Sequence, residues 1–501
     1  MTKMFVLLFL AAAAHAEEAG ILTPPASPKP KIHGPQVYGV HPGHPFLYTI
    51  PATGRRPLMF SASGLPKGLH LDGHTGVITG TTPSKGTYDV TLKAKNTVGS
   101  DERKFRIVAG DQLALTPPMG WSTWYMARTV ISDKMLRAQA DAMVSSGMIE
   151  HGYVYINIDD GWNIRPDSTD PVEGGQARNA NGNLRSNGNF PDMKALCDYV
   201  HGKGLKAGIY ISPGPLTCAR FEGSYGHEEQ DARQFAAWGF DFLKYDLCSY
   251  RRLLKDPKNA EEIQKPYRTM SAALGNLDRD FVYNLCEYGM GDVWKWGRDV
   301  GGHFWRTADD VGGRAAKTLW DAMSRFGFGQ AGTEKWAGPG GWNDPDNILI
   351  GHIIWQGQLV PTPLTHNEQY TWMSLWSLMA SPLVFGGDMT KLDDFTLNVL
   401  NNDEIIDVNQ DPLGKQAAPV AKNGELEIWA KDLEDGSQAV GLFNRGEQTA
   451  EITARWPDLS RRGPQTVRDL WRQKDLGRLE NEFTAKVGRH GVMLVKISAA
   501  H

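Results

Sequence analysis

Residues 205–246 read LKAGIYISPGPLTCARFEGSYGHEEQDARQFAAWGFDFLKYD, and this stretch decides the fold. Two short apolar segments, Leu205–Ile211 and Phe240–Tyr245, flank a segment with a helical pattern at Glu228–Trp238. Short apolar strands that alternate with longer helical segments are typical of parallel strands joined by helical crossovers. The stretch therefore predicts a strand–loop–helix–strand unit.

The same alternation continues on both sides of this unit, over roughly 270 residues, a length that suits a (β/α)8 barrel. Further strands are predicted at Tyr153–Ile158, Phe281–Leu285, His303–Arg306 and Leu383–Phe385. A doubly wound sheet is the alternative α/β fold, but the Gly-rich phosphate-binding turn expected after its first strand is missing. We predict an α/β fold with a (β/α)8 TIM barrel at residues 111–412.

The regions on either side of the barrel show β patterning. At residues 35–110, turn signals separate short alternating segments, which predicts an Ig-like β-sandwich module. Renewed alternation predicts a C-terminal antiparallel β-sandwich at residues 413–501. The prolines at residues 17–34 predict a stiff, extended linker.

The first 16 residues are predicted to be a signal peptide. Lys3 precedes an apolar stretch at Met4–Ala14, and Ala14-His15-Ala16 supplies the small residues that signal peptidase prefers. The stretch is too short to span a bilayer, and no later apolar segment is long enough to do so. We expect a secreted or periplasmic protein with no membrane partner.

Composition excludes several classes of function. The 501 residues carry 53 basic and 57 acidic side chains, a net charge of −4, which argues against a nucleic-acid partner. The four cysteines form no C-x-x-C pair, so a thiolate zinc site is not expected, and we predict neither a metal nor a cofactor. The 16 tryptophans are numerous, and indole rings stack well on sugar faces. The sequence leaves homo-oligomerisation open.

Charged side chains follow the predicted barrel strands, at the face where barrel enzymes place their active sites. They are Asp159, Asp160, Lys244, Asp246, Glu287, Arg306, Asp309, Asp310, Asp344 and Asp346, and Trp121 and Trp124 follow the predicted first strand. A metal site would normally include histidine, which these strand ends lack. A sugar site uses carboxylates for hydroxyl groups and for catalysis, and aromatic rings for stacking. The tryptophans favour the sugar.

With these features, the sequence resembles glycoside hydrolase family 27, the α-galactosidase family of clan D. The ordered motifs that carry the resemblance are PMGW at 118–121, IDDGW at 158–162, LKYD at 243–246, WNDPD at 342–346 and NQDPLG at 409–414. Residues 64–81 resemble the Ig-like modules that are appended to bacterial surface and secreted enzymes. The resemblance implies a retaining α-galactosidase that acts on an α-galactoside.

The resemblance also implies a role for individual residues. Asp246 matches the nucleophile, and Asp310 matches the acid/base, with the adjacent Asp309 as the alternative. The implied substrate-binding residues are Trp124, Asp159, Asp160, Tyr210, Lys244, Glu287, Tyr288, Arg306 and Asp346. We expect Lys244 and Arg306 to lower the pKa of Asp246. A retaining mechanism predicts catalytic carboxyl groups about 5–5.5 Å apart.

The family resemblance pairs Cys218 with Cys248 in a disulfide beside the nucleophile. Cys197 is predicted to be a buried free thiol, and Cys286 is left unassigned. The usual C-E-W-G motif is Cys286-Glu287-Tyr288-Gly289 here, and its bulky side chains favour galactose over N-acetylgalactosamine. An α-N-acetylgalactosaminidase and a β-L-arabinopyranosidase remain alternatives. A non-catalytic galactan-binding protein is the alternative from a different class.

Overall fold

The structure is a computed structural model that describes residues 20–313 and 316–500. The predicted signal peptide (1–16) and the first three residues of the predicted linker lie outside the described residues. An N-terminal β module, an α/β barrel and a C-terminal β region follow one another, and each has a hydrophobic core of its own. The predicted fold class is confirmed.

The N-terminal module is a two-sheet β structure. Its sheets have the strand orders β2-β9-β8-β5 and β3-β7-β6, and β1 pairs with β4. Apolar side chains from both sheets, including Phe46, Ile78 and Phe105, are buried between them. The strands are β1 Lys31–Ile32, β2 Val37–Val40, β3 Pro45–Thr49, β4 Ala52–Thr53, β5 Met59–Ser63, β6 Leu69–Leu71, β7 Val77–Thr81, β8 Gly86–Lys95 and β9 Ser100–Ala109.

The segment predicted to be a linker is fixed to the protein along much of its described length. Strand β1 lies inside it and pairs antiparallel with Ala52–Thr53. Upstream, the Leu22 N–H donates to the Tyr370 hydroxyl at 3.0 Å, and the Thr23 N–H donates to Asn398 Oδ1 at 3.2 Å. The prolines indicate extended backbone, but these tertiary hydrogen bonds have no local sequence signal.

Eight parallel strands form the barrel. Their order is β16-β15-β14-β13-β12-β11-β10-β19. Ile348, four residues after the end of β16, pairs with the last strand of this order: its N–H donates to the Val384 carbonyl, and its carbonyl accepts from the Gly386 N–H. The strands are β10 Met119–Ser122, β11 Tyr155–Asn157, β12 Lys206–Ile211, β13 Phe242–Asp246, β14 Val282–Cys286, β15 Phe304–Arg306, β16 Trp342–Asp344 and β19 Leu383–Phe385.

Helices surround this barrel. Most of their N-termini are capped by side chains such as Asp192 and Asn259, which accept backbone N–H groups of the first turn. The helices are α1 Trp124–Ala127, α2 Asp133–Ser145, α3 Met193–Gly202, α4 Glu228–Trp238, α5 Ala260–Gly275, α6 Leu319–Phe328, α7 His366–Leu378, α8 Asp394–Leu400 and α9 Asp403–Asn409. A hairpin of β17 His352–Trp355 and β18 Gln358–Pro361 precedes α7. No helix within residues 20–313 and 316–500 has the length and apolar character needed to cross a bilayer.

The C-terminal region packs against the barrel through α7, in which 11 residues are buried. Six strands have the order β20-β21-β22-β27-β24-β25, and β23 pairs with β26. The strands are β20 Ala418–Asn423, β21 Leu426–Asp432, β22 Gln438–Asn444, β23 Ala450–Arg455, β24 Gln465–Asp469, β25 Lys474–Leu479, β26 Glu482–Val487 and β27 Val492–Ala499. All pairings in these sheets are antiparallel, as predicted.

The N-terminal module covers the amino ends of the barrel strands. The Thr49 hydroxyl donates to the Gly204 carbonyl at 2.6 Å, just before β12. The half-buried Lys206, the first residue of β12, donates from its ammonium group to the Tyr38 hydroxyl. Because the active face of such a barrel lies at the carboxyl ends of its strands, the module occupies the opposite face.

Candidate active site

Asp246 is the last residue of β13 and is almost completely buried. Its carboxylate accepts a hydrogen bond from the Tyr288 hydroxyl at 2.7 Å and another from the Tyr210 hydroxyl at 3.3 Å. Two phenol groups therefore fix the orientation of the predicted nucleophile.

The expected lowering of the Asp246 pKa is wrong. Burial raises the pKa of this carboxyl, and the opposing effects of the Lys244 charge and the Tyr288 hydrogen bond do not offset it. The neighbouring carboxylates of Asp310 and Asp159 add to the rise. The expectation considered the cations at the strand ends but not the loss of water around the carboxylate.

Asp310 lies four residues beyond Arg306, the last residue of β15. Both terminal nitrogens of the Arg306 guanidinium contact Asp310 Oδ1 at 3.2 Å. Asp309 is more exposed than Asp310. The structure therefore places Asp310 against Arg306 at this end of the barrel, and the choice of Asp310 as acid/base stays a prediction.

Asp346 holds the other side of Arg306. Its Oδ2 lies 3.2 Å from Arg306 Nη2 and also accepts hydrogen bonds from the Val311 N–H and the Tyr125 hydroxyl. The backbone φ of Asp346 is 118°, a strained value for a residue other than glycine, and such residues cluster at active sites. The predicted sugar ligand Asp346 thus also orients the guanidinium that contacts Asp310.

Asp159 and Asp160 follow β11 and are buried at the same end of the barrel. The Lys244 ammonium donates to Asp159 Oδ2 at 2.9 Å, and the Ala219 N–H donates to Asp160 Oδ2 at 2.8 Å. Burial raises the pKa of Asp160 to about 7, and the nearby charges of Asp159 and Asp246 add to that rise. Asp160 Oδ1 has no hydrogen-bond partner among the described residues, which leaves an acceptor free for a ligand hydroxyl.

A cavity of about 20 Å³ lies inside the barrel beneath these residues. Asp159, Lys244, Arg306, Asp344 and Asp346 are among the residues that line it. Burial also raises the pKa of Asp344 to about 7. Carboxylates outnumber cations here, so the site is poised to bind hydroxyl groups and to hold protons near neutral pH.

Cys218 and Cys248 form a disulfide, as predicted. The Tyr210 hydroxyl lies 3.2 Å from Cys248 Sγ, and the Tyr288 hydroxyl lies 3.6 Å from Cys218 Sγ. The disulfide therefore contacts both tyrosines that hold Asp246. Cys197 and Cys286 are buried free thiols.

The predicted aromatic and acidic neighbours occupy three different environments. Trp124 is half-buried at the start of α1, with the Arg128 guanidinium 4.9 Å from its ring centre. Trp121 lies within β10 instead of after it, and its buried indole donates to the Gly387 carbonyl at 2.6 Å. Glu287 is 0% exposed and neither of its oxygens has a hydrogen-bond partner in the described ranges. Burial raises its pKa, which favours the protonated acid.

Tyr125 is a residue of the site that the sequence did not reveal. It is the second residue of α1, its ring is buried, and its hydroxyl donates to Asp346. The sequence pattern singled out Trp121 and Trp124 as candidate site residues, but nothing in the pattern distinguished Tyr125, which directly follows Trp124.

A parallel barrel with buried carboxylates at the carboxyl ends of its strands is an arrangement that glycoside hydrolases use, and the profile and sequence matches show that the chain is one. The sequence profile described as Alpha galactosidase A matches residues 116–411, and the profile of the Alpha galactosidase C-terminal beta sandwich domain matches 423–497. An Ig-domain profile matches residues 29–110. The chain belongs to the α-galactosidase family, glycoside hydrolase family 27.

Individual relatives support this membership. The chain is 37% identical over 413 residues to Alpha-galactosidase 2 of Arabidopsis thaliana. That alignment covers 81% of this chain and 96% of the Arabidopsis protein. It is 37% identical over 406 residues to Alpha-galactosidase A of Cellvibrio japonicus, covering 77% and 93% of the two chains. A crystal structure from Bacteroides fragilis superposes with a TM-score of 0.86 at 35% identity, covering 96% of this chain and 100% of that one.

Proposed function

We propose that this chain hydrolyses terminal α-linked D-galactose with retention of configuration, with Asp246 as nucleophile and Asp310 as acid/base. The observation that carries the assignment is the placement of Asp246. Its carboxylate lies at the end of a central barrel strand, is held by the hydroxyls of Tyr210 and Tyr288, and shares its rim with an Arg306–Asp310 pair.

In the first step, an Asp246 oxygen attacks the anomeric carbon while Asp310 protonates the glycosidic oxygen, whose bond to that carbon breaks. The product is a galactosyl ester of Asp246. In the second step, Asp310 takes a proton from water, which attacks the same carbon and releases Asp246. Two inversions retain the configuration, and the predicted separation of the two carboxyl groups remains about 5–5.5 Å.

Polar side chains around Asp246 and Asp310 can donate to and accept from the sugar hydroxyl groups. The family resemblance implies that Asp159 and Asp160 bind the 4- and 6-hydroxyl groups and that Lys244 binds the 3-hydroxyl. The Lys244–Asp159 contact and the Asp160 oxygen that has no partner among the described residues support these assignments. Trp124 supplies the apolar wall near C6, and Arg306 reaches the 2-hydroxyl.

Tyr288 supports galactose as the preferred sugar. Its ring is covered by the Arg251 guanidinium at 4.2 Å, and its hydroxyl contacts Asp246, so it is held from both ends. A fixed ring beside the nucleophile leaves little room for an acetamido group at the 2-position of the sugar.

Hydrolysis of three aryl glycosides tests this function: the α-D-galactoside, the α-N-acetylgalactosaminide and the β-L-arabinopyranoside. We expect the α-galactoside to have the highest kcat/KM, and NMR of the first product to show α-galactose. Failure to cleave the α-galactoside, or release of β-galactose first, contradicts the proposal.

We also propose that the chain is exported and cleaved after Ala16. The disulfide beside the nucleophile supports this, because disulfides persist in oxidising compartments. Mass spectrometry of the protein from the native host should show Glu17 as the first residue. A mature protein that retains Met1–Ala16 contradicts the proposed cleavage.

A further inference from the structure

A pair of histidines on the N-terminal module faces one aspartate of the barrel. His41 and His44 stand at the two ends of the turn between β2 and β3. Gly43, inside this turn, has a φ of +82°, and the tight turn brings the two imidazole rings to a centroid distance of 5.4 Å. Asp280 lies two residues before β14, at the amino ends of the barrel strands.

Three ligand atoms converge between the two domains. His41 Nδ1 and His44 Nδ1 each lie 2.7 Å from the same oxygen, Asp280 Oδ1. The backbone N–H of His41 donates to the other carboxylate oxygen, Asp280 Oδ2, at 3.2 Å, which fixes the plane of the carboxylate. All three ligand atoms lie within 4.8 Å of one another.

This donor set suits a borderline divalent cation. Neutral imidazole and carboxylate are the ligands that Zn²⁺ prefers apart from thiolate, and three protein ligands with one solvent position is a common zinc arrangement. Tetrahedral zinc, with bonds of about 2.0–2.2 Å, separates its ligand atoms by about 3.3 Å. The 2.7 Å contacts therefore need to open by about 0.6 Å, which small side-chain rotations can supply.

The three side chains are also accessible to an ion. The side chain of His41 is 36% exposed, and those of His44 and Asp280 are each 18% exposed. They are therefore enclosed enough to be held in position, while solvent can still reach them. A usable metal site needs such an entry path.

We propose that His41, His44 and Asp280 bind Zn²⁺, with water as the fourth ligand, and that the ion clamps the N-terminal module to the barrel. The clamp lies outside the catalytic machinery. It is at the amino end of β14, whose five residues span about 16 Å before the chain reaches the active face. The ion stabilises the docked module because it binds the three residues together only when the two domains are in contact.

Zinc binding by the full-length protein tests this proposal. The protein is stripped with a chelator and dialysed, and ZnCl₂ is titrated in while heat and bound zinc are measured. We expect one Zn²⁺ per chain and a rise in Tm of about 3–5 °C at a zinc concentration 100 times the Kd. Co²⁺ in place of Zn²⁺ should give the visible absorption of a tetrahedral nitrogen–oxygen site.

His44→Ala and Asp280→Asn should each abolish stoichiometric binding and the rise in Tm. His70→Ala and His74→Ala are matched controls, because these exposed histidines belong to the same module, and both should bind zinc like the parent. The circular dichroism of each metal-free variant at 25 °C establishes that it is folded. Hydrolysis of the aryl galactoside at 25 °C should be equal with and without zinc.

Three results overturn the proposal. The parent could bind no zinc, in which case the cluster is an ion-pair network of two histidines with Asp280. His44→Ala and Asp280→Asn could both bind as the parent does, which would place the zinc elsewhere. Loss of hydrolysis on stripping would place the ion at the active face instead.

Discussion

Two aspartates mark the ends of strand β13, Asp241 just before it and Asp246 as its last residue, and their electrostatic environments are opposite. Asp241, just before the strand, accepts hydrogen bonds from His201 at 2.8 Å and Arg279 at 2.6 Å. Asp246, at the other end, is bound by neutral phenols. Burial acts to raise the pKa of both, but at Asp241 the hydrogen bond and charges of His201 and Arg279 prevail, so its pKa is lowered.

The difference teaches how one barrel separates stability from chemistry. At the amino ends, under the module, acids are matched by cations, as Asp241 is by Arg279. At the carboxyl ends, acids outnumber cations and their pKa values rise. Charge that costs stability is concentrated where a substrate would use it.

The largest expected effect comes from removing the carboxylate charge separately at Asp246 and at Asp241, the two ends of β13. Asp246→Asn should lower kcat for an aryl α-galactoside by about 10⁴-fold or more, because the ester cannot form. Asp241→Asn should change kcat by less than about threefold, since it lies at the far end of the strand. Initial rates at 25 °C, with folding checked by circular dichroism, decide this. Equal losses in the two variants would refute the division between the ends.

A second comparison sharpens the assignment at the active face. Asp310→Asn should lower kcat/KM by about 10²–10⁴-fold, the usual contribution of a general acid. The loss should be greater for a poor leaving group such as a sugar than for nitrophenol, which needs little protonation. The adjacent Asp309→Asn is the control and should be close to the parent. A larger loss in Asp309→Asn would transfer the acid/base role to Asp309.

Stability should respond in the opposite order to activity. Asp241→Ala leaves Arg279 and His201 without their carboxylate partner, and should lower the free energy of unfolding by about 2–4 kcal/mol. Asp246→Asn removes a carboxylate whose charge is disfavoured by burial, and should leave stability unchanged or raise it by about 1 kcal/mol. Thermal unfolding at pH 7 measures both. A stabilising Asp241→Ala would contradict the structural role of that end.

The pH dependence of stability gives the smallest expected effect and differs in sign between the ends. Asp344 has a raised pKa of about 7, so its contribution to stability is present below its unfolded pKa, near 4, and is lost as pH rises towards 7. Asp241 has a lowered pKa, so its contribution is present above pH 4 and is lost as pH falls.

We therefore expect Asp344→Asn to flatten the decline in stability between pH 4 and 7, by about 1–3 kcal/mol. Asp241→Asn should instead flatten the loss of stability below pH 4. Unfolding in denaturant at several pH values measures these slopes. Identical pH profiles in the two variants would show that the ends do not differ in this way.

The sequence predicted the strands and the acids at their carboxyl ends because both leave local patterns. Apolar segments such as Phe240–Tyr245 mark a buried strand, and Asp246 follows directly. Tertiary contacts left no such pattern. The two phenols on Asp246, the burial of Glu287 and the pairing of Tyr125 with Asp346 depend on residues from distant elements.

The extended segment at residues 17–34 shows the same limit. Its prolines predict an extended conformation, but not the strand Lys31–Ile32 or the hydrogen bonds of Leu22 and Thr23 to the barrel side. The expectation of a lowered Asp246 pKa was wrong for a related reason. Charge can be read from a sequence, whereas the exclusion of water depends on the packed structure.

The module that covers the amino ends of the strands also affects how this chain can evolve. Two of its contacts each join a module residue to a barrel residue: Tyr38 contacts Lys206, and Arg103 contacts Asp407. Recombination that exchanged the module for one from another enzyme would separate these partners and leave the half-buried Lys206 without the Tyr38 hydroxyl. We therefore expect a substitution on one side of these contacts in this chain to need a compensating change on the other side.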